Sequence, residues 1–474
     1  MAEQVDTDVC VIGGGAGGLS FAAGAAQMGA DVTLVEKNKM GGDCLNYGCI
    51  PSKALITAAR AAHTIRSAER FGVGSAEPKI NPKKIRDHIR GVVADIAPHD
   101  SEERFRELGV RVVRAHGHFI GPRSIGAGDY EIFAKRVIIS TGSAAAIPNI
   151  SGLDKVPFFT NETIFDNSEA FEHLLVIGGG PIGMELAQAH RRLGAKVTVI
   201  EAFKVLANDD SDLAAVVMDR LTTEGVDVQE GVLVKKITGA ANAISIEAER
   251  DGRKLIFEGS HLLLAVGRKP NTDDLNLEAA GIEAGAGGIP VNARMQTANK
   301  RVYAIGDVVE GHNFTHVAGY HAAIAIRNIL FRLPAKADYT ALPWVTFTSP
   351  ELAQVGLTEH SARAKFGDVK VLEADFSDND RAHTEAETVG RLKVITTNKG
   401  VVVGASLVGE GAGEIIQSWC LPISKKLKIK NIAGLVLPYP TLGEINKRAA
   451  GSYFTPSLFG GRIKALVRFL LSLG

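Results

Sequence analysis

One motif occurs twice at one spacing, and nothing else in the chain restricts its fold as strongly. Val9-Cys10-Val11-Ile12 is an apolar run that reads as the end of a buried strand beginning near Asp8. It leads into Gly13-Gly14-Gly15-Ala16-Gly17-Gly18, with glycines at 13, 15 and 18. A helical pattern continues to about Met28, and a second strand, Val32 to Val35, ends in Glu36. The order returns with the strand Leu174-Leu175-Val176-Ile177, then Gly178, Gly180 and Gly183. A helix runs from there to Leu193, and the strand Lys196–Ile200 ends in Glu201. The interval from first glycine to terminal acid is 23 residues in both copies, 13 to 36 and 178 to 201. In such a unit the glycines let the backbone approach a pyrophosphate at a helix N-terminus, and the acid receives ribose hydroxyls. A lone glycine pattern is a weak signal. Two complete units at matched spacing predict two dinucleotides on two domains.

A second stretch carries reactive groups: Gly41-Gly42-Asp43-Cys44-Leu45-Asn46-Tyr47-Gly48-Cys49-Ile50-Pro51-Ser52-Lys53. Proline is pre-organised for the first turn of a helix, so Cys49 is expected at a helix N-terminus. The partial positive charge there stabilises a thiolate. A disulfide between the two cysteines would be easily reduced; the alternatives are a structural disulfide or two buried thiols. The chain has only four cysteines. Cys10 lies in a strand pattern and Cys420 in an apolar helix pattern, and both are expected in the core. Cys44 and Cys49 remain as the pair with chemistry. So few cysteines in so long a chain fit a reducing cytoplasm.

The 474 residues suffice for about three domains. Lys+Arg and Asp+Glu balance at 53 each, so no nucleic-acid or polyanion partner is expected. The first residues are polar and acidic, which argues against a signal peptide, and no run of 18 apolar residues exists. Helices are expected over 51–70 and 82–108, the latter broken near Pro98, with strands over 110–119 and 130–140. Thr141-Gly142 and Gly267 close two strands and read as chain crossovers between domains, or in the first case as a plain turn. The strand 301–305 stops at Gly306-Asp307, which aims Asp307 into a ligand crevice. A helix over 315–330 could stabilise negative charge at its N-terminus; His316 and His321 on it are either satisfied polar residues or catalytic. Glu201 accepts a 2′-hydroxyl and repels a 2′-phosphate, and Lys204 is the only cation near it, so NADH is expected over NADPH. From about residue 342 an antiparallel α+β region without a nucleotide fingerprint is expected to bury a partner surface. Ile463, Leu466, Val467, Leu470 and Leu471 recur at helical spacing among Arg462, Lys464 and Arg468. That basic amphipathic helix reads as lying on a membrane surface, docking on a partner protein, or packing on its own dimer.

The match GGDCLNYGCIPSK, its order relative to both fingerprints, Gly306-Asp307, and Pro440-Thr441-Leu442-Gly443-Glu444 resemble the class I pyridine nucleotide-disulfide oxidoreductases. The resemblance covers about residues 5 to 455. It implies an α/β fold with two Rossmann-like domains and a C-terminal α+β dimerisation domain, hence a homodimer. The segments would be 1–149 and 271–341 for FAD, 150–270 for NAD(P), 342–456 for the dimer interface and 457–474 for the basic tail. By resemblance, Gly13, Gly15, Gly18, Glu36 and Asp307 hold FAD, with Thr141, Gly142 and Gly267 beside it. Gly178, Gly180, Gly183 and Glu201 hold the nicotinamide nucleotide. Lys53 looks like the lysine beside the flavin, paired with Glu185. Cys49 resembles the charge-transfer thiolate and Cys44 the interchange thiol that meets the acceptor. No resident metal is expected.

One position departs from the disulfide reductases and dihydrolipoamide dehydrogenases. Their His-Pro-Thr acid/base, supplied by the opposite subunit, is replaced by Tyr439, while Glu444 remains. A phenol with an ordinary pKa near 10 is a poor base at neutral pH. Tyrosine here is similar to mercuric reductases, whose acceptor is a thiolate-held soft metal. The vicinal cysteines that mercuric reductases carry near the C-terminus, and their N-terminal Cys-x-x-Cys domain, are not in this sequence. Three acceptors therefore stay open: a thiol-bound metal or small disulfide, dihydrolipoamide, and a membrane quinone.

Overall fold

The computed structural model describes residues 2–473. The chain groups into two compact units. The first contains everything up to Gly178, Ala189–Ile200 and Val232–Asp338; the second contains Gly179–Gln188, Glu201–Gly231 and the chain from Tyr339 onward.

The first unit is built on the expected parallel strands. Glu3–Ile12 pairs in parallel with Val32–Val35 on one side and with Tyr130–Ile139 on the other. Val302–Ala304 adds to Tyr130–Ile139, also in parallel. Val9 to Ile12 and Val32 to Val35 are all buried, as strands covered on both faces must be. The helix Ala16–Gln27 turns Leu19, Phe21, Ala22 and Ala25 into one of the cores, against Ile324 and Ala325 of the helix Thr315–Ile329. Its glycines weaken the isolated helix but allow close approach of the other one: a Cβ at Gly24 would fall 2.7 Å from Ile326 Cδ1.

The equal spacing of the two fingerprints has a structural cause. The first helix stops where Gly29 takes φ +88°; Gly29 N–H bonds to the Ala26 carbonyl and Ala30 N–H to that of Ala25. The second helix, Pro181–Arg192, stops in the same way at Gly194 (φ +101°), with Gly194 bonded to Arg191 and Ala195 to His190. Both are Schellman endings, in which a left-handed glycine satisfies the last carbonyls. Equal helices with equal stops deliver the next strand, and its terminal acid, at the same interval.

Two sequence expectations are corrected, at 110–119 and at Cys420, and the break expected near Pro98 in the stretch 82–108 is observed. The segment 110–119 is two short strands, Arg111–Val113 and Gly117–Phe119, and a hairpin strand Ser124–Ala127 precedes Tyr130–Ile139. The helix 82–108 is Pro82–Ile96, a 3-10 turn Ala97–Asp100 and Glu102–Glu107, because Pro98 removes a donor and Ser101 caps a new start through its hydroxyl. Cys10 is wholly buried, but Cys420 is only half-buried at the edge of its core. A three-stranded antiparallel sheet, 233–240, 243–250 and 253–259, was not expected, although Asp251-Gly252, at φ 51° and 77°, is a two-residue hairpin signal between its last two strands. Its outward faces are polar and its turns are only two residues long.

The second unit contains a five-stranded antiparallel sheet ordered 343–346, 351–356, 402–409, 391–397, 369–375. Leu392, Val394, Ala405 and Leu407 face a core closed by Trp419, Ile445 and Ala449. Trp419 Nε1 donates to buried Asn446 Oδ1 at 2.8 Å, so the large ring is satisfied inside. Among the described residues, no helix is long and apolar enough to cross a membrane.

Candidate functional site

The first fingerprint turn is locked by contacts that only glycine permits. At Gly13, φ is +109° and a Cβ would fall 2.4 Å from the Ser140 carbonyl oxygen; at Gly18 a Cβ would fall 1.9 Å from the Gly13 carbonyl oxygen. Gly15 precedes the helix as its N-cap and nothing but Gly42 Cα, at 3.8 Å, comes near its Cβ position. Open space at an uncapped helix N-terminus is a cradle for a phosphate. Glu36 is aimed at this turn: its Oε2 accepts Gly14 N–H at 2.6 Å and its Oε1 accepts Asn38 N–H. The second copy repeats the arrangement. Gly178 (φ +112°) would put a Cβ 2.3 Å from the Ala265 carbonyl, and nothing lies within 4 Å of the Gly180 Cβ position. Glu201 accepts Gly179 N–H at 2.7 Å and Phe203 N–H at 2.8 Å. Gly183 is buried in the helix that follows. These cradles and oriented carboxylates fit FAD at the first turn and a pyridine nucleotide at the second.

The cysteine segment docks directly on the first turn. Gly41 N–H donates to the Gly14 carbonyl at 2.9 Å, and Gly42 (φ +62°) would put a Cβ 2.6 Å from Gly15 Cα. Gly41 and Gly42 therefore let the chain cross the fingerprint before the short helix Gly42–Asn46, which carries Cys44. Cys49 is the first residue of the 19-residue helix Cys49–Ser67, as expected from Pro51. Both cysteines are free thiols here.

Their titration is divided unequally. Cys44 donates a hydrogen bond to Cys49, which brings the Cys49 pKa down to about 6, against the opposing effect of burial. The Thr315 hydroxyl, 3.3 Å from Cys49 Sγ, and the charge of Lys53 lower it further. Cys44 is pushed far up by the same sulfur–sulfur bond and by burial. The pair therefore holds one proton on Cys44 and one negative charge on Cys49. Lys53 sits four residues after Cys49, one turn along the same helix, which is why its charge is felt there. Because the thiolate is the nucleophile, iodoacetamide should alkylate the reduced protein at a rate that levels off above neutral pH and falls below about pH 6. A single rate midpoint near the ordinary thiol value of about 8.5 would contradict this charge placement.

A polar cluster ties the cysteine segment to Asp307. Ser143 Oγ donates to Asp307 Oδ2 at 2.9 Å, and Arg268 donates through Nε to Ser143 Oγ at 2.7 Å. Arg268 Nη2 also reaches Asp43 Oδ2 at 3.1 Å, and Asn161 donates to Asp43 Oδ1 at 3.0 Å. Burial raises the Asp307 pKa, opposed by Ser143 and Arg268. Thr141-Gly142 is not a plain turn. Asn271 N–H bonds to the Gly142 carbonyl, Thr141 Oγ1 donates to the Asn271 carbonyl, and Ser143–Ala145 pairs with Arg268–Pro270. This ribbon starts one residue after Gly267 (φ +118°). His321 is structural: its Nδ1 accepts Gly306 N–H at 3.2 Å, and burial keeps it neutral, with a pKa of about 4. His316 stacks on Phe314.

Sequence reasoning missed Thr315, Ser143, Arg268 and Asp43. Thr315 could have been found, since it is the first residue of a helix whose N-terminus was already marked. Ser143 and Arg268 lie on short strands and Asp43 in the short helix Gly42–Asn46, and their contacts with one another are made across long stretches of chain that no spacing marks.

In the second unit, Glu185 is buried and its Oε1 accepts Phe347 N–H at 2.9 Å. Tyr439 is 69% exposed, and its hydroxyl donates to Asp380 Oδ2 at 2.9 Å. That hydrogen bond to a carboxylate raises the phenol pKa, so at neutral pH Tyr439 is deprotonated, and able to accept a proton, even more rarely than an ordinary tyrosine. Glu444 opens the helix Glu444–Ser452.

Two nucleotide-type turns, a thiol–thiolate pair at a helix N-terminus and an antiparallel C-terminal region define a flavin-linked disulfide reductase. The chain belongs to the pyridine nucleotide-disulphide oxidoreductase family, whose model matches residues 7–322 and whose dimerisation domain matches 342–450. The family uses FAD and a pyridine nucleotide, and its dimerisation domain supports a homodimer. The chain is 32% identical over 442 residues to the mercuric reductase of Bacillus cereus, covering 93% of this chain and 70% of that protein. It is 34% identical over 454 residues to the dihydrolipoyl dehydrogenase of Geobacillus stearothermophilus, covering 94% and 96%. Among solved structures it resembles the Cu(II) complex of the HOCl-induced flavoprotein disulfide reductase RclA from Escherichia coli, with a TM-score of 0.83, 26% identity and coverage of 93% and 98%.

Proposed function

We propose that the protein uses NADH to reduce a thiol-bound soft metal ion through Cys44 and Cys49. The observation that carries this reading is Tyr439, whose hydroxyl donates to Asp380 Oδ2 at 2.9 Å and so leaves no ready base for a dithiol at that position. Gly13, Gly15, Gly18, Glu36, Asp307, Thr141, Gly142, Gly267 and Lys53 would hold FAD. Gly178, Gly180, Gly183 and Glu201 would hold the nicotinamide nucleotide. Bound FAD supplies electron-pair transfer between NADH and the sulfur pair. The rest is the work of this chain's residues. The helix N-terminus, Thr315 and Lys53 hold charge on Cys49. Cys44 keeps its proton until an acceptor arrives. Oxidation of this pair to a disulfide releases two electrons and the single proton of Cys44. Those electrons take one mercuric ion to the element, or two cupric ions to cuprous. Neither product needs a proton delivered by the protein, which suits a site whose tyrosine is a poor base.

The named relatives support the metal reading: one is called a mercuric reductase, and a solved neighbour is described as a Cu(II) complex. The competing reading is a dihydrolipoamide dehydrogenase, supported by the slightly higher identity to a member of that group, 34% against 32%. Against it stands Tyr439, held to Asp380. NADH is favoured over NADPH because Glu201 faces the second turn and Lys204, the nearby cation, lies 2.6 Å from Glu230.

The purified holoprotein should be given NADH or NADPH with mercuric and cupric thiolates, small disulfides and quinones, and in the reverse sense dihydrolipoamide with NAD. Metal thiolates with NADH should turn over fastest. A faster rate with dihydrolipoamide than with any metal would overturn the proposal.

A further inference from the structure

The helix Gly461–Leu471 buries none of its residues. Ile463, Leu466, Val467, Phe469, Leu470 and Leu471 are 37–76% exposed. At 100° per residue they cover one broad arc, with Lys464 and Arg468 along one edge and Arg462 at the other. Leu458 and Phe459, just before it, are exposed as well. The chain as a whole is neutral, yet the stretch from Ile445 onward contains Lys447, Arg448, Arg462, Lys464 and Arg468 and no Asp or Glu. Among the described residues, Arg462, Lys464 and Arg468 have no acidic partner. The match to the family's dimerisation domain ends at residue 450, before this helix begins.

We propose that this helix docks the protein on an anionic lipid surface, with its axis in the plane of the interface. The charge pattern selects that occupant. An apolar arc flanked by cations places its side chains at the acyl boundary while the cations meet lipid phosphates. A second copy of the same helix would instead bring two sets of like charges together, with no acid in the segment to offset them. The anchoring is peripheral and reversible, because the affinity rests on a short helix and a few charges. It is independent of which acceptor Cys44 serves.

The test is flotation of the intact, FAD-loaded protein with vesicles of pure phosphatidylcholine or of phosphatidylcholine mixed with phosphatidylglycerol. Binding should appear only with the anionic vesicles and weaken as salt is raised. Each cation near such a surface is worth about fivefold, so the triple charge reversal Arg462→Glu, Lys464→Glu, Arg468→Glu should weaken binding by on the order of a hundredfold or more. The pair Leu466→Asp, Leu470→Asp should abolish it. All five side chains are outside the cofactor-binding segments, so flavin content and NADH-dependent dye reduction should stay at wild-type levels in both variants and certify their folding. Absence of flotation, or equal flotation of the charge-reversed protein, overturns the proposal. So does a shift from dimer to monomer by light scattering in Leu466→Asp, Leu470→Asp with lipid binding unchanged, which would make the helix an interface between copies.

Discussion

Replacing Cys44 by serine is expected to lower NADH-dependent reduction of a mercuric or cupric thiolate by on the order of a thousandfold or more, as removal of a reacting nucleophile does. NADH-dependent reduction of a one-electron dye, which needs no protein thiol, should be retained. Serine suits this test because of what Cys44 does for its neighbour. Cys44 donates to the Cys49 sulfur, and that bond is the largest cause of the lowered Cys49 pKa. A serine hydroxyl is also a donor, so the charge on Cys49 should persist while transfer through position 44 is lost. Alkylation of Cys49 should accordingly stay fast near neutral pH in the variant. If Cys44→Ser reduces metal thiolates at the wild-type rate, electrons leave by another route and the sulfur relay is wrong.

The second large effect is expected at position 439. Tyr439→His should raise turnover of dihydrolipoamide with NAD by about 100-fold or more, the low end of what a positioned general base contributes. An imidazole titrates between pH 5 and 8, whereas the phenol is held above its ordinary value by Asp380. The same carboxylate that disables the tyrosine as a base would orient and charge-stabilise a histidine. Because that carboxylate would raise the imidazole pKa above its ordinary value of about 6.5, the gain should grow as pH rises through and beyond that value, where the histidine becomes neutral and able to accept a proton. Reduction of metal thiolates should change little, since that reaction asks for no proton from the protein. A wild-type protein that already oxidises dihydrolipoamide as fast as the Tyr439→His variant would show that the missing base does not matter here.

Much of the cofactor machinery was legible in the residues, for reasons that are local. Gly13, Gly18 and Gly178 sit where any Cβ would strike a backbone oxygen, so the pattern could not drift. Gly29 and Gly194 stop their helices at matching points, so the acids Glu36 and Glu201 fall at matching intervals. Pro51 marked the helix start that places Cys49. Other parts were illegible because they depend on distant neighbours. The strands 233–259 were overlooked although 243–250 alternates buried residues with more exposed ones and Asp251-Gly252 marks a hairpin turn; what the sequence did not show is which core their apolar face covers. Cys420 reads as core from its apolar neighbours, but it lies at a core margin that only packing defines.

The sequence by itself determined the class of the chain: two glycine turns of the nucleotide-binding type, two cysteines five residues apart at a helix start, and tyrosine at position 439. Those features are encoded within a turn or two of chain, where steric exclusion and helix termination act. Only the tertiary structure decided which distant groups meet the cysteine segment and position 439. Thr315 comes to Cys49 from 266 residues away in sequence, Arg268 reaches back to Asp43, and Asp380 engages Tyr439. Electrostatic effects depend on distance in space rather than along the chain, so these distant partners had to wait for the fold, whereas the thiolate at Cys49 was already expected from its helix start.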